Sequence, residues 1–292
     1  MEVKNMQHKL GLVLEGGAMR GLFSCGVLDV MMERGVTFDG AVGVSAGACF
    51  GCNVKSKQIG RALRYNVQFC NDPKYGSFRS LITSGDYYNA DYCYRFVPEE
   101  VDLFDRKTFY ENPMEFHIVT TDIESGEPVY YSCDEEDTML LEWMRASASL
   151  PFFARIVEIG DKKLMDGGIV DSIPIRHIEE LGYEKNVVIL TQPRGYVKKK
   201  TGMMGLLKMK YHKYPKLVEA LAHRHEMYNE TLCYIWEREK QGKVLVICPD
   251  ESLPIGRIEH DPAILRQTYD IGRCLAEREW QKIESFLKES QS

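Results

Sequence analysis

The feature that most constrains the fold lies near the start of the chain, where an apolar run twice passes into a small-residue turn. Residues 10–14, Leu-Gly-Leu-Val-Leu, form a short apolar run that stops at Glu15-Gly16-Gly17. A run this short, bounded by glycines, reads as a buried strand. A helical pattern follows over 22–34, with Leu22, Val27, Leu28, Val30 and Met31 on its apolar side and Gly35 as its stop. A second run, 41–44, ends at Ser45, and Ala46, Gly47 and Ala48 open another helix. The alternation strand–loop–helix–strand–turn–helix implies a three-layer α/β/α fold: a mostly parallel sheet with helices on both faces.

The remainder of the 292 residues is enough to complete one large α/β domain with a substantial appendage. Residues 70–105 are rich in Tyr, Phe and Asp and are broken by Gly76, Gly85 and Pro98. They read as short helices and loops covering a pocket. Further strands are expected at 116–121, 128–132, 156–159, 163–165, 187–191 and 244–247. Helices are expected at 137–147, 175–181 and 217–240, with one closing helix at 262–287. The character changes after Pro193. Lys198, Lys199, Lys200, Lys208, Lys210, Lys213 and Lys216 fall in a stretch without one Asp or Glu. The expected division is therefore a domain over 9–192 and a mixed helical C-terminal α/β extension over 193–292 packed on it.

Three local patterns carry chemistry. Gly43-Val44-Ser45-Ala46-Gly47 is a GxSxG pentapeptide between a strand and a helix. Such a turn pushes the serine hydroxyl out of the sheet, and Gly43 and Gly47 leave room for the following helix. The helix N-terminus adds positive potential where an attacking oxygen carries charge. On its form alone the pentapeptide is a common chance match; its strand–turn–helix setting is what gives it weight. Gly16-Gly17-Ala18-Met19-Arg20-Gly21 follows the first strand and opens the first helix, so its N–H groups and Ser45 could face one crevice at the carboxyl ends of the strands. Arg20 either reinforces that potential or holds the loop. No Lys-Ser or Lys-Thr follows Gly21, and Ala18 replaces the second glycine of a dinucleotide fingerprint, so nucleotide binding is disfavoured. A serine nucleophile needs a base. Asp166-Gly167-Gly168, an acid on a tight turn after a strand, is the best candidate, although alone it would be an ordinary Asp-Gly turn. None of the seven histidines has a distinctive local signature.

The glycine loop with Arg20, the GxSxG at Ser45 and the Asp166-Gly167-Gly168 motif, in that order, resemble the patatin-like phospholipase family. Arg145-Ala146-Ser147-Ala148-Ser149-Leu150-Pro151-Phe152-Phe153 is similar to the family's segment before its Asp-Gly-Gly. The resemblance covers about residues 9–192. It implies a patatin-like fold and a serine lipid acyl hydrolase of phospholipase A or lysophospholipase type. It also implies a dyad of Ser45 and Asp166, and an oxyanion hole from Gly16, Gly17 and Ala18. Arg20, Gly21, Gly43, Gly47, Gly167 and Gly168 would support it. The family loop is commonly Gly-Gly-Gly; Ala18 in the third place keeps its N–H but lacks glycine's freedom for positive φ. An unperturbed Asp, with a pKa of about 3.9, is a weak base at neutral pH, so Asp166 is expected to be buried.

Composition narrows the partners. A formal charge of −6 disfavours general nucleic-acid binding. Nine cysteines without repeating spacing suit free thiols in a reducing compartment. The lone Cys49-Phe50-Gly51-Cys52 lacks the second pair or the histidines that a zinc site needs, and no metal or cofactor is expected. The N-terminus has no secretory pattern, and no run approaches the roughly 18 apolar residues of a membrane span. The expectation is a cytoplasmic protein acting on a lipid or acyl ester. The lysines over 198–216, interspersed with Met203, Met204, Leu206, Leu207 and Met209, suit either peripheral contact with an anionic membrane or a solvated face. Two competing classes are an α/β-hydrolase with a Ser-His-Asp triad, whose serine elbow falls later in the chain, and a non-catalytic acyl-chain carrier, against which the intact Ser45 and Asp166 argue.

Overall fold

The computed structural model describes residues 9–133 and 135–290. Among the described residues eight strands form one sheet: β1 (Leu10–Leu14), β2 (Gly40–Val44), β3 (Glu115–Asp122), β4 (Pro128–Ser132), β5 (Val157–Ile159), β6 (Lys162–Asp166), β7 (Lys185–Ile189) and β8 (Val244–Ile247). Strands β3, β2, β1, β7 and β8 lie side by side and are all parallel. Strands β4, β5 and β6 add antiparallel pairs at the β3 end. The mostly parallel sheet read from the sequence is present.

Strands β1, β2 and β8 carry no polar side chain because both of their faces are covered, whereas β3 and β7 mix in polar residues such as His117, Thr120 and Asn186. Along β1, Leu12 and Leu14 point into one core with Phe23, Val27 and Met31 of helix α1 (Gly21–Glu33). Val13 points to the other face, where it meets Ile175 and Ile178 and, from the helix Pro215–Lys240, Tyr228, Leu232 and Ile235. Alternation of two along the strand thus feeds two cores, and helices on both faces make three layers. Burying each such Leu, Ile or Phe side chain contributes about 1.5–3 kcal/mol.

The last hundred residues share this framework. Strand β8 extends the parallel sheet beyond β7. The helix Pro262–Arg278 lies so close to α1 that a Cβ on Gly26 would stand 2.0 Å from the Tyr269 carbonyl, and one on Gly272 would stand 2.0 Å from that of Phe23. The single closing helix expected over 262–287 is instead two, Pro262–Arg278 and Trp280–Ser290, interrupted at Glu279. Neither glycine nor proline marks that break. Trp280 packs against the large core and stacks under the Arg34 guanidinium, 4.3 Å from its ring centroid, which ties the new helix to the end of α1.

The arrangement at β3 positions the site. On one edge β3 pairs with β4 through His117–Thr121. On the other it pairs with β2 up to Val44 opposite Val119, and then with β6 from Asp166 opposite Thr120. Strands β2 and β6 therefore run head to head along a single edge. Their ends, Ser45 and Asp166, meet where the ladder changes partner.

Candidate active site

Ser45 follows the last residue of β2 and precedes helix α2 (Ala46–Lys55), with φ 54 and ψ −121. This is a sparsely populated conformation for a residue with a Cβ, costing of order 1–3 kcal/mol. The turn survives because its surroundings determine it. A Cβ on Gly43 would meet the Gly47 carbonyl at 2.5 Å, and one on Gly47 would meet the Leu14 carbonyl at 2.4 Å. Only glycine lets α2 approach β1 and β2 this closely. The Ser45 N–H donates to Ser147 Oγ at 2.8 Å, and that hydroxyl donates to the Val119 carbonyl at 2.6 Å. Ser147 thus bridges the gap in the ladder.

Asp166 is 1% exposed. Its own N–H donates to the Ser149 carbonyl at 3.0 Å, so the segment Ser147–Ser149 holds both ends of the junction. Its Oδ1 accepts the Gly168 N–H at 2.8 Å. Its Oδ2 is buried without a partner at hydrogen-bond geometry. Burial pushes the carboxyl above the ordinary carboxylate range; the Arg224 guanidinium, the Ser45 hydroxyl, the Gly168 N–H and Arg257 oppose that rise without cancelling it. The Ser45 hydroxyl is thus near enough to favour the charged carboxylate, while the contact stays looser than a full hydrogen bond. The burial expected for Asp166 is present, and it raises the basicity of the group.

The glycine loop stands over the same point. Gly16 lies against Val44 and Ser45, and Gly17 against Thr191. Gly21 opens α1 against Ala46 and Phe50. Among the described residues, no protein acceptor takes the N–H of Gly16, Gly17 or Ala18. Ala18 nonetheless adopts φ 50, a positive φ for which alanine is poorly suited. The loop keeps the glycine conformation and stores the strain. Glu15, at the end of β1, accepts from the Thr191 N–H at 2.5 Å and from Tyr228 Oη at 2.7 Å, which anchors the loop's base. Gly167 packs on β3, where a Cβ would fall 2.2 Å from the Val119 carbonyl. The carbonyl of Gly168 accepts from Arg224 Nε.

Two cavities open from Ser45 and share Ala18, Ser45, Leu150 and Arg257 in their walls. The larger encloses about 1300 Å³ including its mouth and is mainly apolar; Phe50, Tyr65, Tyr88, Tyr94, Val97 and Met144 are among its walls. Much of its roof comes from residues 75–104, the segment expected to cover a pocket. The smaller encloses about 470 Å³ including its mouth and is lined by Asp166, Arg20, Lys198, Arg224 and Arg257, among others. Among the described residues, no histidine lines either cavity. Three residues here escape a local reading of the sequence. Ser147 is foreshadowed by its Ala-Ser-Ala-Ser setting, whereas Arg224 and Arg257 have no local signal.

A three-layer α/β fold with a serine on a strained strand-to-helix turn, beside a buried acid and an apolar cavity, defines a carboxylic ester hydrolase. The chain belongs to the patatin-like phospholipase family, whose members hydrolyse lipids and which matches residues 12–178, more than half of it. Residues 214–288 match a domain of unknown function, DUF6363. The uncharacterized protein YjjU of Escherichia coli is 25% identical over 281 residues, 91% of this chain and 75% of that one. Lysophospholipase nte1 of Aspergillus terreus is 26% identical over 188 residues, 60% of this chain and only 11% of that longer protein. Among solved structures, VipD from Legionella pneumophila aligns with a TM-score of 0.43 at 13% identity, covering 93% of this chain and 67% of that one. No helix of the described residues is long and apolar enough to cross a membrane.

Proposed function

We propose that the protein hydrolyses acyl esters of lipids, of the phospholipase A or lysophospholipase type, through a Ser45–Asp166 dyad. The observation that carries this reading is the junction on β3, where a strained serine and a buried carboxylate with an unpartnered oxygen face each other. The acyl chain lies in the apolar cavity. Ser45 Oγ attacks the ester carbonyl carbon as its proton passes to Asp166. The N–H groups of Gly16, Gly17 and Ala18 receive the developing oxyanion. The tetrahedral intermediate collapses, the alkoxide leaves and takes the proton from Asp166, and Ser45 remains acylated. Water then adds to the acyl carbonyl, gives its proton to Asp166, and that proton returns to Ser45 as the fatty acid departs.

In this reading residues 9–192 carry the dyad and the oxyanion loop, and the rest of the chain closes the site. The exposed Met203, Leu206 and Met209, beside Lys208 and Lys210, form the surface turned toward lipid. Charge reversal at Lys208, Lys210 and Lys213 then weakens binding to anionic vesicles, and unchanged binding removes the membrane contact. The main test is Ser45→Ala. Ester hydrolysis is lost while the unfolding midpoint stays near that of the parent protein; retained hydrolysis refutes the assignment.

A further inference from the structure

The smaller cavity has more positive charge than an ester oxyanion requires. Arg20, Lys198, Arg224 and Arg257 all line it, against two acids, Glu15 and Asp166. Glu15 is hydrogen-bonded by Thr191 and Tyr228, and Asp166 Oδ1 by the Gly168 N–H; both acids also attract Arg224, but two carboxylates do not balance four cations. None of the four cations forms an ion pair among the described residues. Arg20 Nε is buried with no hydrogen-bond partner. Arg224, which also lines the cavity, donates Nε to the Gly168 carbonyl, and no acceptor among the described residues takes its terminal nitrogens. The Lys198 ammonium rests 4.0 Å from the centroid of the Tyr228 ring.

Four cations held this close repel one another, and a buried donor without an acceptor is costly. Lys198 registers this: burial, with Arg224, Arg20 and Arg257 close by, pulls its ammonium down to about 8, against the opposing pull of Glu15. A doubly charged oxyanion with several acceptor oxygens would relieve both costs through charge-assisted hydrogen bonds. Position identifies which part of a substrate this is. The apolar cavity on the other side of Ser45 takes the acyl chain, so the cationic cavity receives the alcohol half of the ester.

We propose that Arg20, Lys198, Arg224 and Arg257 form a phosphate subsite on the leaving-alcohol side of Ser45, which selects esters whose alcohol carries a phosphate close to the scissile bond. This rests on the function proposed above. Three of the four, Lys198, Arg224 and Arg257, lie outside residues 12–178, so the selection is made by the C-terminal part of the chain. Lys198 and Arg257 have no backbone duty to the Asp166 turn, unlike Arg224, and are the residues to vary.

The test compares a 1-acyl-glycerol 3-phosphate with the monoacylglycerol of the same chain, using the full-length protein and a Lys198→Gln, Arg257→Gln double variant. The parent protein favours the phosphate ester in kcat/KM by at least tenfold, and the double variant lowers that ratio at least tenfold, mainly through KM. A parent protein without preference, or a ratio unchanged in the variant, overturns the proposal. Calorimetry on Ser45→Ala supplies a readout independent of turnover. Glycerol 3-phosphate binds this protein, and binding weakens at least tenfold when the double substitution is added; absence of binding overturns the subsite. Inorganic phosphate binding as tightly, with no ester preference, would make it a site for free phosphate and overturn the substrate assignment. If glycerol 3-phosphate binds but neither ester is cleaved, the subsite stands and the proposed hydrolysis fails.

Discussion

Replacing Ser147 by alanine removes one oxygen and disconnects the junction on which the site depends. Ser147 is fully buried, and its hydroxyl both accepts from the Ser45 N–H at 2.8 Å and donates to the Val119 carbonyl at 2.6 Å. Ser147→Ala leaves two buried backbone groups unsatisfied, at about 1–3 kcal/mol each, so a loss of about 2–6 kcal/mol in folding stability is expected. The same bond holds Ser45 in its strained turn, a conformation worth of order 1–3 kcal/mol that the free N–H would let relax. A nucleophile displaced by that relaxation lowers kcat by about tenfold or more, since each 1.36 kcal/mol on the barrier is a factor of ten. The assays are urea unfolding followed by circular dichroism, and kcat with a short-chain ester well below the unfolding midpoint. Ser149→Ala is the control. Its hydroxyl donates only to the Arg145 carbonyl one turn back, and its hold on Asp166 is through the backbone, so it loses about 1 kcal/mol or less. A Ser147→Ala protein within 0.5 kcal/mol of the parent, or with kcat intact, would refute the bridging role.

Two further outcomes follow from the geometry. Ala18→Gly removes the strain of a positive φ, about 1–2 kcal/mol, and adds about 0.4–1 kcal/mol of unfolded-state entropy, so stability rises slightly or holds and hydrolysis is kept. A loss above 1 kcal/mol in denaturant unfolding contradicts the strained loop. The second concerns Asp166, whose carboxyl is raised by burial. As the base it must be ionised, so kcat/KM falls on acidification at a pH above the ordinary carboxylate range. A raised folded-state pKa means the protonated form fits the fold better; that stability is present in full below the unfolded pKa and is lost as pH rises through the folded value. Asp166→Asn is therefore inactive yet at least as stable as the parent at pH 7, an advantage that disappears in acid. An active or markedly less stable Asp166→Asn protein, measured across pH, speaks against the assignment.

Much of the fold could be read from local pattern. Runs such as Leu10–Leu14 and Val244–Ile247 are apolar because a parallel strand is covered twice, and glycines mark where helices approach strands. Ser45 was legible for the same reason, since a nucleophile turn needs small neighbours at fixed spacing. The closeness of Asp166 to Ser45 was suggested only by its Asp-Gly-Gly turn and by motif order; its physical cause, two strands ending on one edge of β3, is a long-range pairing with no local signature. The break at Glu279 is set by Trp280 packing on the core and against Arg34, a tertiary preference that overrides helix propensity. Lys198 reads in sequence only as part of a lysine run, Arg224 and Arg257 have no local signal, and tertiary packing alone brings the three to one cavity wall.

The most direct measurement of the central claim is site mapping of a fluorophosphonate adduct by peptide mass spectrometry, in the parent protein and in Asp166→Asn. The dyad predicts one adduct on Ser45 in the parent, and labelling of Ser45 slowed at least a hundredfold without Asp166. An adduct on another residue, or Ser45 labelled at the parent rate in Asp166→Asn, would contradict it.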